Sequence, residues 1–173
     1  VVVPLSDQET RSLSKHKDEF RSTGAEVLTP EGDHVEIASD KGSMLEYLDS
    51  EGISVPGFHL PETFSELDQA VSDLGYPEKE VVIKPRRQRA ARGFWNLSEE
   101  RNTQDLVMNE KCLQTLPYDA LRNLLAGKDE IPALVVMEYL EGTDFNVDCL
   151  SLNGESEYQI PIRRIKPSAG PVQ

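Results

Sequence analysis

The residues best placed to do chemistry are cationic and confined to a short stretch. Lys84 ends the β-branched run Val81-Val82-Ile83, and Pro85-Arg86-Arg87-Gln88-Arg89-Ala90-Ala91-Arg92-Gly93 follows at once. A lysine closing an apolar strand is half-buried by its position, which costs free energy unless an anion meets the ammonium group. The four arginines behind it offer forked, permanently charged donors suited to phosphate or carboxylate oxygens. Residues 81–97 hold 5 basic and no acidic side chains, whereas residues 1–80 hold 6 basic and 18 acidic, and residues 98–173 hold 7 and 13. Positive charge is therefore local, and so is any phosphate site. A further cation, Lys41, follows Asp40 in the first turn of a predicted helix, where the helix N-terminus already attracts an anion. A solvated first-turn lysine is the plain alternative there. For the arginine loop the alternatives are a phosphate lid and a basic contact for another anion or a partner chain.

Composition excludes several classes. A net charge of −13 on 173 residues disfavours general binding to nucleic acid or anionic membrane. No apolar run approaches the roughly 20 residues of a membrane helix, and Val1-Val2-Val3-Pro4 has neither the basic start nor the cleavage pattern of a signal peptide. Cys112 and Cys149 stand far apart without metal-site spacing, which points to free thiols in a reducing cytoplasm. His16, His34 and His59 are scattered, leaving little material for zinc or a Ser-His-Asp arrangement. The chain opens without methionine and closes in Pro167-Ser168-Ala169-Gly170-Pro171, so an excised piece of a longer polypeptide is expected.

The elements that must position these cations alternate between helix and strand. Val1–Leu5 reads as a strand, and Asp7–Arg21 as a helix with Asp7 at its N-cap and Gly24 as its stop. Glu26–Thr29 and Val35–Ala38 read as short strands around Pro30-Glu31-Gly32-Asp33. Asp40 caps a helix that runs through Met44, Leu45 and Leu48 to Gly52, and Thr63–Leu74 forms another that ends at Gly75. Asn102–Cys112 and Tyr118–Leu125 look helical, and Pro132 precedes a strand over Ala133–Met137. Phe145–Leu152 and Glu157–Ile162 alternate around Asn153-Gly154, a dipeptide suited to a two-residue hairpin turn.

Four motifs in this order resemble the ATP-grasp ligases, on the carbamoyl-phosphate-synthase-like branch, over nearly the whole chain. They are Asp40-Lys41 opening a helix that leads to Gly52-Ile53-Ser54-Val55-Pro56; Leu74-Gly75-Tyr76-Pro77 before Val82-Ile83-Lys84-Pro85; Met137 to Asp144 running into Val147-Asp148; and Pro161-Ile162-Arg163-Arg164 before Ala169-Gly170. The strand-end lysine is also similar to that of protein kinases, but no H-R-D or D-F-G motif follows.

The resemblance implies an α+β ATP-grasp chain in three parts. Residues 1–38 would be the end of the preceding α/β domain, 39–137 a linker helix and the small nucleotide-clamping subdomain, and 138–173 the adenine hinge and the start of the C-terminal antiparallel sheet. It implies ATP phosphate contacts at Lys41, Lys84, Arg92 and Gly93, and adenine contacts at Glu138, Tyr139 and Leu140. Asp144 would take the ribose hydroxyls, shorter than the usual glutamate, and Arg164 would be the catalytic residue facing the transferred phosphoryl group, with Arg163 on the opposite side of its strand. The implied reaction is ATP-dependent activation of a small-molecule carboxylate to an acyl phosphate, attacked by an amine to form an amide-type bond. Mg²⁺ would assist, on ligands downstream of this chain, so the 173-residue chain is expected to be inactive alone. The oligomeric state stays open. The loop departs from the family because arginines replace its usual glycines and only Gly93 remains. The competing reading keeps the same shell as a non-catalytic scaffold whose arginine loop binds RNA or an acidic partner.

Overall fold

Ser6, rather than Asp7, starts the first helix of the computed structural model, which describes residues 1–87, 93–99, 115–126, 130–143, 145–152 and 154–163. The Ser6 hydroxyl accepts from the Glu9 N–H at 3.3 Å, and the Glu9 carboxylate accepts from the Leu5 N–H at 2.8 Å. This reciprocal capping satisfies donors on both sides of the helix start, so Asp7 falls one residue inside α1 (Asp7–Lys15). The helix expected to continue to Arg21 is interrupted at His16 and resumes as α2 (Lys17–Ser22). Of the first predicted strand only Val2 pairs, in a parallel bridge to Val27.

The strand expected over Val35–Ala38 is instead the second half of α3 (Gly32–Ser39). Four alternating residues fit either period, and packing decides between them. As a helix the segment buries Val35, packs against α1, and carries Glu36 toward the α1 cations. Asp40 then separates α3 from α4 (Lys41–Ser50), which it caps as expected by accepting from the Gly42 and Ser43 N–H groups at 3.0 and 3.2 Å.

The core forms farther along the chain. After β1 (Phe58–His59), Thr63 caps α5 (Phe64–Asp73), which leads to β2 (Val81–Pro85) and β3 (Trp95–Leu97). Next come β4 (Thr115–Leu116), α6 (Tyr118–Leu125) and β5 (Leu134–Glu138). The strands make one sheet in the order β1-β5-β2-β3-β4, in which only β3 and β4 run parallel. Ile83 lies opposite Val136 and Lys84 opposite Val135. Side chains alternate along a strand, so Val81, Ile83, Leu134 and Val136 share one face. On it they form a single apolar cluster with Leu67, Ala70 and Val71 of α5 and Leu121 and Leu125 of α6. Val82, Lys84, Val135 and Met137 occupy the other face. The α+β class is as the sequence implied.

Tyr76, in the Gly75-Tyr76-Pro77 turn, ties α5 to α6. Its hydroxyl donates to Glu99 and accepts the Tyr118 N–H at 2.9 Å, and burial pushes its pKa up to about 12. Val1–Tyr139 form one compact unit and Leu140–Gln173 a second. The described part of the second is the hairpin of β6 (Phe145–Leu152) and β7 (Glu155–Arg163), as expected around Gly154 at φ +84°. The helix expected over Asn102–Cys112 lies outside the described residues.

Two leucines of one helix test this core. Leu121 is fully buried and Leu124 is 72% exposed. Leu121→Ala is expected to cost about 2–5 kcal/mol in urea-induced unfolding, while Leu124→Ala stays within about 0.5 kcal/mol of wild type.

Candidate functional site

A buried carboxylate organises the corner where α4 meets the end of β2. Asp40 is only 5% exposed, and besides capping α4 it accepts from Arg86 Nε at 2.7 Å and Arg87 Nε at 3.0 Å. Arg86 also donates to Ser43 Oγ at 3.2 Å, and its own N–H bonds the Ala133 carbonyl at 2.9 Å. Gly42 lets the guanidinium approach, since a Cβ there would lie 2.7 Å from Arg86 Nε and 2.9 Å from Leu60 Cδ2. Burial alone would raise the Asp40 pKa, but the donors from Arg86, the Ser43 N–H and Arg87 outweigh it, and the carboxyl is held below its ordinary value. Two of the four loop arginines are thus committed to protein carboxylates.

The same junction brings Lys41 and Lys84 together. The Lys41 N–H bonds the Arg86 carbonyl at 3.0 Å, and its Nζ lies 3.3 Å from the Pro85 carbonyl and 3.4 Å from that of Arg86. Burial lowers the Lys41 pKa against the opposing pull of Asp40. Lys84 is half-buried on the sheet face away from α5 and α6, with its Nζ 5.5 Å from the centroid of the Phe94 ring. Burial first, and then the charge of Lys41, pushes the Lys84 pKa down. Among the described residues no carboxylate pairs with Lys84. Gly93 closes the arginine loop against its own start: φ is +68°, and a Cβ would lie 2.8 Å from Pro85 Cγ.

The linker residues divide differently. The Glu138 N–H bonds the Gly57 carbonyl and its Oε1 accepts from the Gly57 N–H, each at 3.0 Å. This carboxylate, read from sequence as an acceptor for adenine with no protein partner otherwise, has a backbone partner. Strand alternation also sets Glu138 on the side of Val136, opposite to that of Lys84. Tyr139 closes the first unit and Leu140 opens the second; they are 37% and 62% exposed. Arg92, Asp144 and Arg164 lie outside the described residues.

Sequence reasoning missed a second cluster beside the first. Glu36 receives Lys15 Nζ at 3.0 Å, Arg11 Nη2 at 3.0 Å and Arg87 Nη1 at 3.2 Å. These donors, Lys15 first, then Arg11 and Arg87, hold its pKa down to about 2. The legible signal was Arg11 and Lys15 at i, i+4 on one helix face. Among the described residues, no group of three His, Cys, Asp or Glu side chains is placed to hold a metal ion, and no helix is long and apolar enough to cross a membrane.

The fold has counterparts in known proteins, although no protein-family model matches the chain. The chain is 24% identical over 107 residues to the carbamoyl phosphate synthase large chain of Mycobacterium sp. (strain JLS), covering 62% of this chain and 9% of that protein. It superposes on the D-alanine-D-alanine ligase of Helicobacter pylori with a TM-score of 0.62 at 14% identity, over 100% of this chain and 49% of that one. D-alanyl-alanine synthetase A of Vibrio cholerae gives 0.59 at 16% identity, over 90% and 42%. An L-amino acid ligase of Bacillus licheniformis gives 0.56 at 15%, over 95% and 32%. The fold is ATP-grasp. The chain spans less than half the length of these solved ATP-grasp chains and 9% of its curated relative.

Asp40 gives this ATP-grasp chain an acid-sensitive joint. Its folded-state pKa lies below the unfolded value of about 3.9, so its contribution to stability is complete above about pH 4 and is lost as pH falls through the folded value. Asp40→Asn keeps a capping side chain but removes the charge facing Arg86 and Arg87, and is expected to lower stability by about 1–3 kcal/mol near neutrality. Unfolding free energy measured down an acid series should fall less steeply in the variant than in wild type. Identical slopes would assign the acid sensitivity to Glu36 and other carboxylates.

Proposed function

We propose that the chain is the ATP-binding part of an ATP-dependent carboxylate-amine ligase that works through an acyl-phosphate intermediate. The observation that carries this reading is Lys84: a half-buried ammonium at a strand end, destabilised by burial and by Lys41, with no carboxylate partner among the described residues. A polyphosphate would relieve both penalties at once. In this reading Lys41 and Lys84 bind and orient the phosphates, and the Gly93 turn sets the far end of the arginine loop. The main-chain groups of Tyr139 and Leu140 take the adenine edge. Arg92, Asp144 and Arg164 keep the phosphate, ribose and phosphoryl roles that the resemblance implies.

The carboxylate substrate gains a leaving group when ATP phosphorylates it, and the amine then displaces phosphate to form the amide bond. Charge neutralisation of that transfer is the main demand on the protein. Mg²⁺ would share it, but the described residues offer no ligand cluster for the ion, so its ligands are sought elsewhere in the protein. Likeness of fold to a D-alanine-D-alanine ligase and an L-amino acid ligase supports the reaction class. The scaffold alternative is weakened by the engagement of Arg86 with Asp40 and Ser43, which takes that guanidinium away from an external RNA or acidic partner.

Calorimetric titration of the chain with ATP tests the reading. Wild type should bind, and Lys84→Ala should weaken binding by about 1.5–3 kcal/mol, the range for a charge-assisted hydrogen bond. Equal affinity in the variant would remove Lys84 from the site, and with it the main support for the ligase.

A further inference from the structure

An open groove of about 630 Å³ runs beside α1, away from Lys84, and three cations line it: Arg11, Lys15 and Arg87. Glu36 binds all three but does not line the groove. It acts as a scaffold, holding two guanidiniums and an ammonium in a fixed array. Each retains donors beyond those it gives to the scaffold. Arg11 uses Nε and Nη2 on Glu36, leaving Nη1; Arg87 uses Nε on Asp40 and Nη1 on Glu36, leaving Nη2; and an ammonium carries three protons. Ser12 and Ser39 add hydroxyls to the wall, and Gln8 adds an amide. Asp7 is the single acidic residue in the lining against three cations, with Glu36 behind all three and Asp40 behind Arg87.

We propose that this groove is a binding site for a small dianion, a phosphomonoester or a dicarboxylate, held by Arg11, Lys15 and Arg87 as a cradle that Glu36 positions from behind. Forked guanidinium donors suit planar carboxylates and phosphate oxygens alike. Three cations fixed in advance lose little side-chain freedom on binding, which is the usual advantage of a preorganised site. The site stands independently of the nucleotide reading, because Lys41 and Lys84 take no part in it.

The test is calorimetric titration of the full chain with inorganic phosphate and, separately, with succinate. Wild type is expected to bind at least one of them at millimolar concentration or tighter, with affinity that falls as salt rises. Phosphate alone would name the phosphomonoester class, and succinate alone the dicarboxylate class. Ser12→Glu places a second carboxylate in the wall without removing any cation, and should weaken binding by about tenfold or more. Far-UV circular dichroism and the unfolding midpoint check that this exposed substitution leaves the fold intact. Lys84→Ala should leave phosphate and succinate binding unchanged, whatever it does to ATP. No binding of either anion, binding indifferent to Ser12→Glu, or binding lost in Lys84→Ala would each overturn the proposal. If ATP fails to bind while the dianion binds and responds to Ser12→Glu, the ligase reading falls and the groove remains.

Discussion

The Asp40 carboxylate holds together parts of the chain that have no other reason to meet. One oxygen caps α4 and takes Arg86, and the other takes Arg87, so the start of a helix and the end of a strand 46 residues away share one buried acid. A carboxylate this enclosed must be ionised and fully bonded, or its burial would cost several kcal/mol. That requirement sets its surroundings. Residue 42 has to be glycine-like for the guanidinium to enter, and Lys41 is delivered by the same cap to the Pro85 and Arg86 carbonyls. The approach of Lys41 to Lys84 is thus a consequence of the Asp40 joint.

The joint also fixes how much charge the arginine loop can offer. Arg86 and Arg87 point inward to Asp40 and Glu36, and Gly93 packs against Pro85, so both described ends of the loop are anchored. Four arginines in a row suggest four free guanidiniums, but in the fold the first two are structural. Arg87 bridges two carboxylates, Asp40 at the start of α4 and Glu36 on α3. Movement in one cluster is therefore felt in the other through a single side chain.

What was legible in the sequence was local. Asp40 as a cap, the end of α5 at Gly75, the eight residues of α6, and the hairpin about Gly154 each follow from a few neighbouring residues. Two misreadings were local as well. Ser6 outcompeted Asp7 because Glu9 could reach back to complete the cap, and α3 read as a strand because four alternating residues cannot choose a period. The partners of Arg86, Arg87 and Glu138 were not legible. They lie 46, 51 and 81 residues away at the other ends of the bonds to Asp40, Glu36 and Gly57, and only the tertiary fold brings them near.

The contrast between the joint and its neighbour is the best guide to function. This chain carries 31 acidic residues and places Asp40 and Glu36 where they neutralise Arg11, Lys15, Arg86 and Arg87. On the adjacent face Lys84 has an aromatic ring and a repelling lysine in place of a carboxylate. Partial burial of an ammonium group beside a like charge destabilises the folded state, and acidic side chains to relieve it are abundant in the sequence. Local rules broken in an otherwise consistent fold mark sites kept for a ligand. In the proposed reading, an anion that arrives and leaves would supply at Lys84 what Asp40 supplies permanently at Arg86.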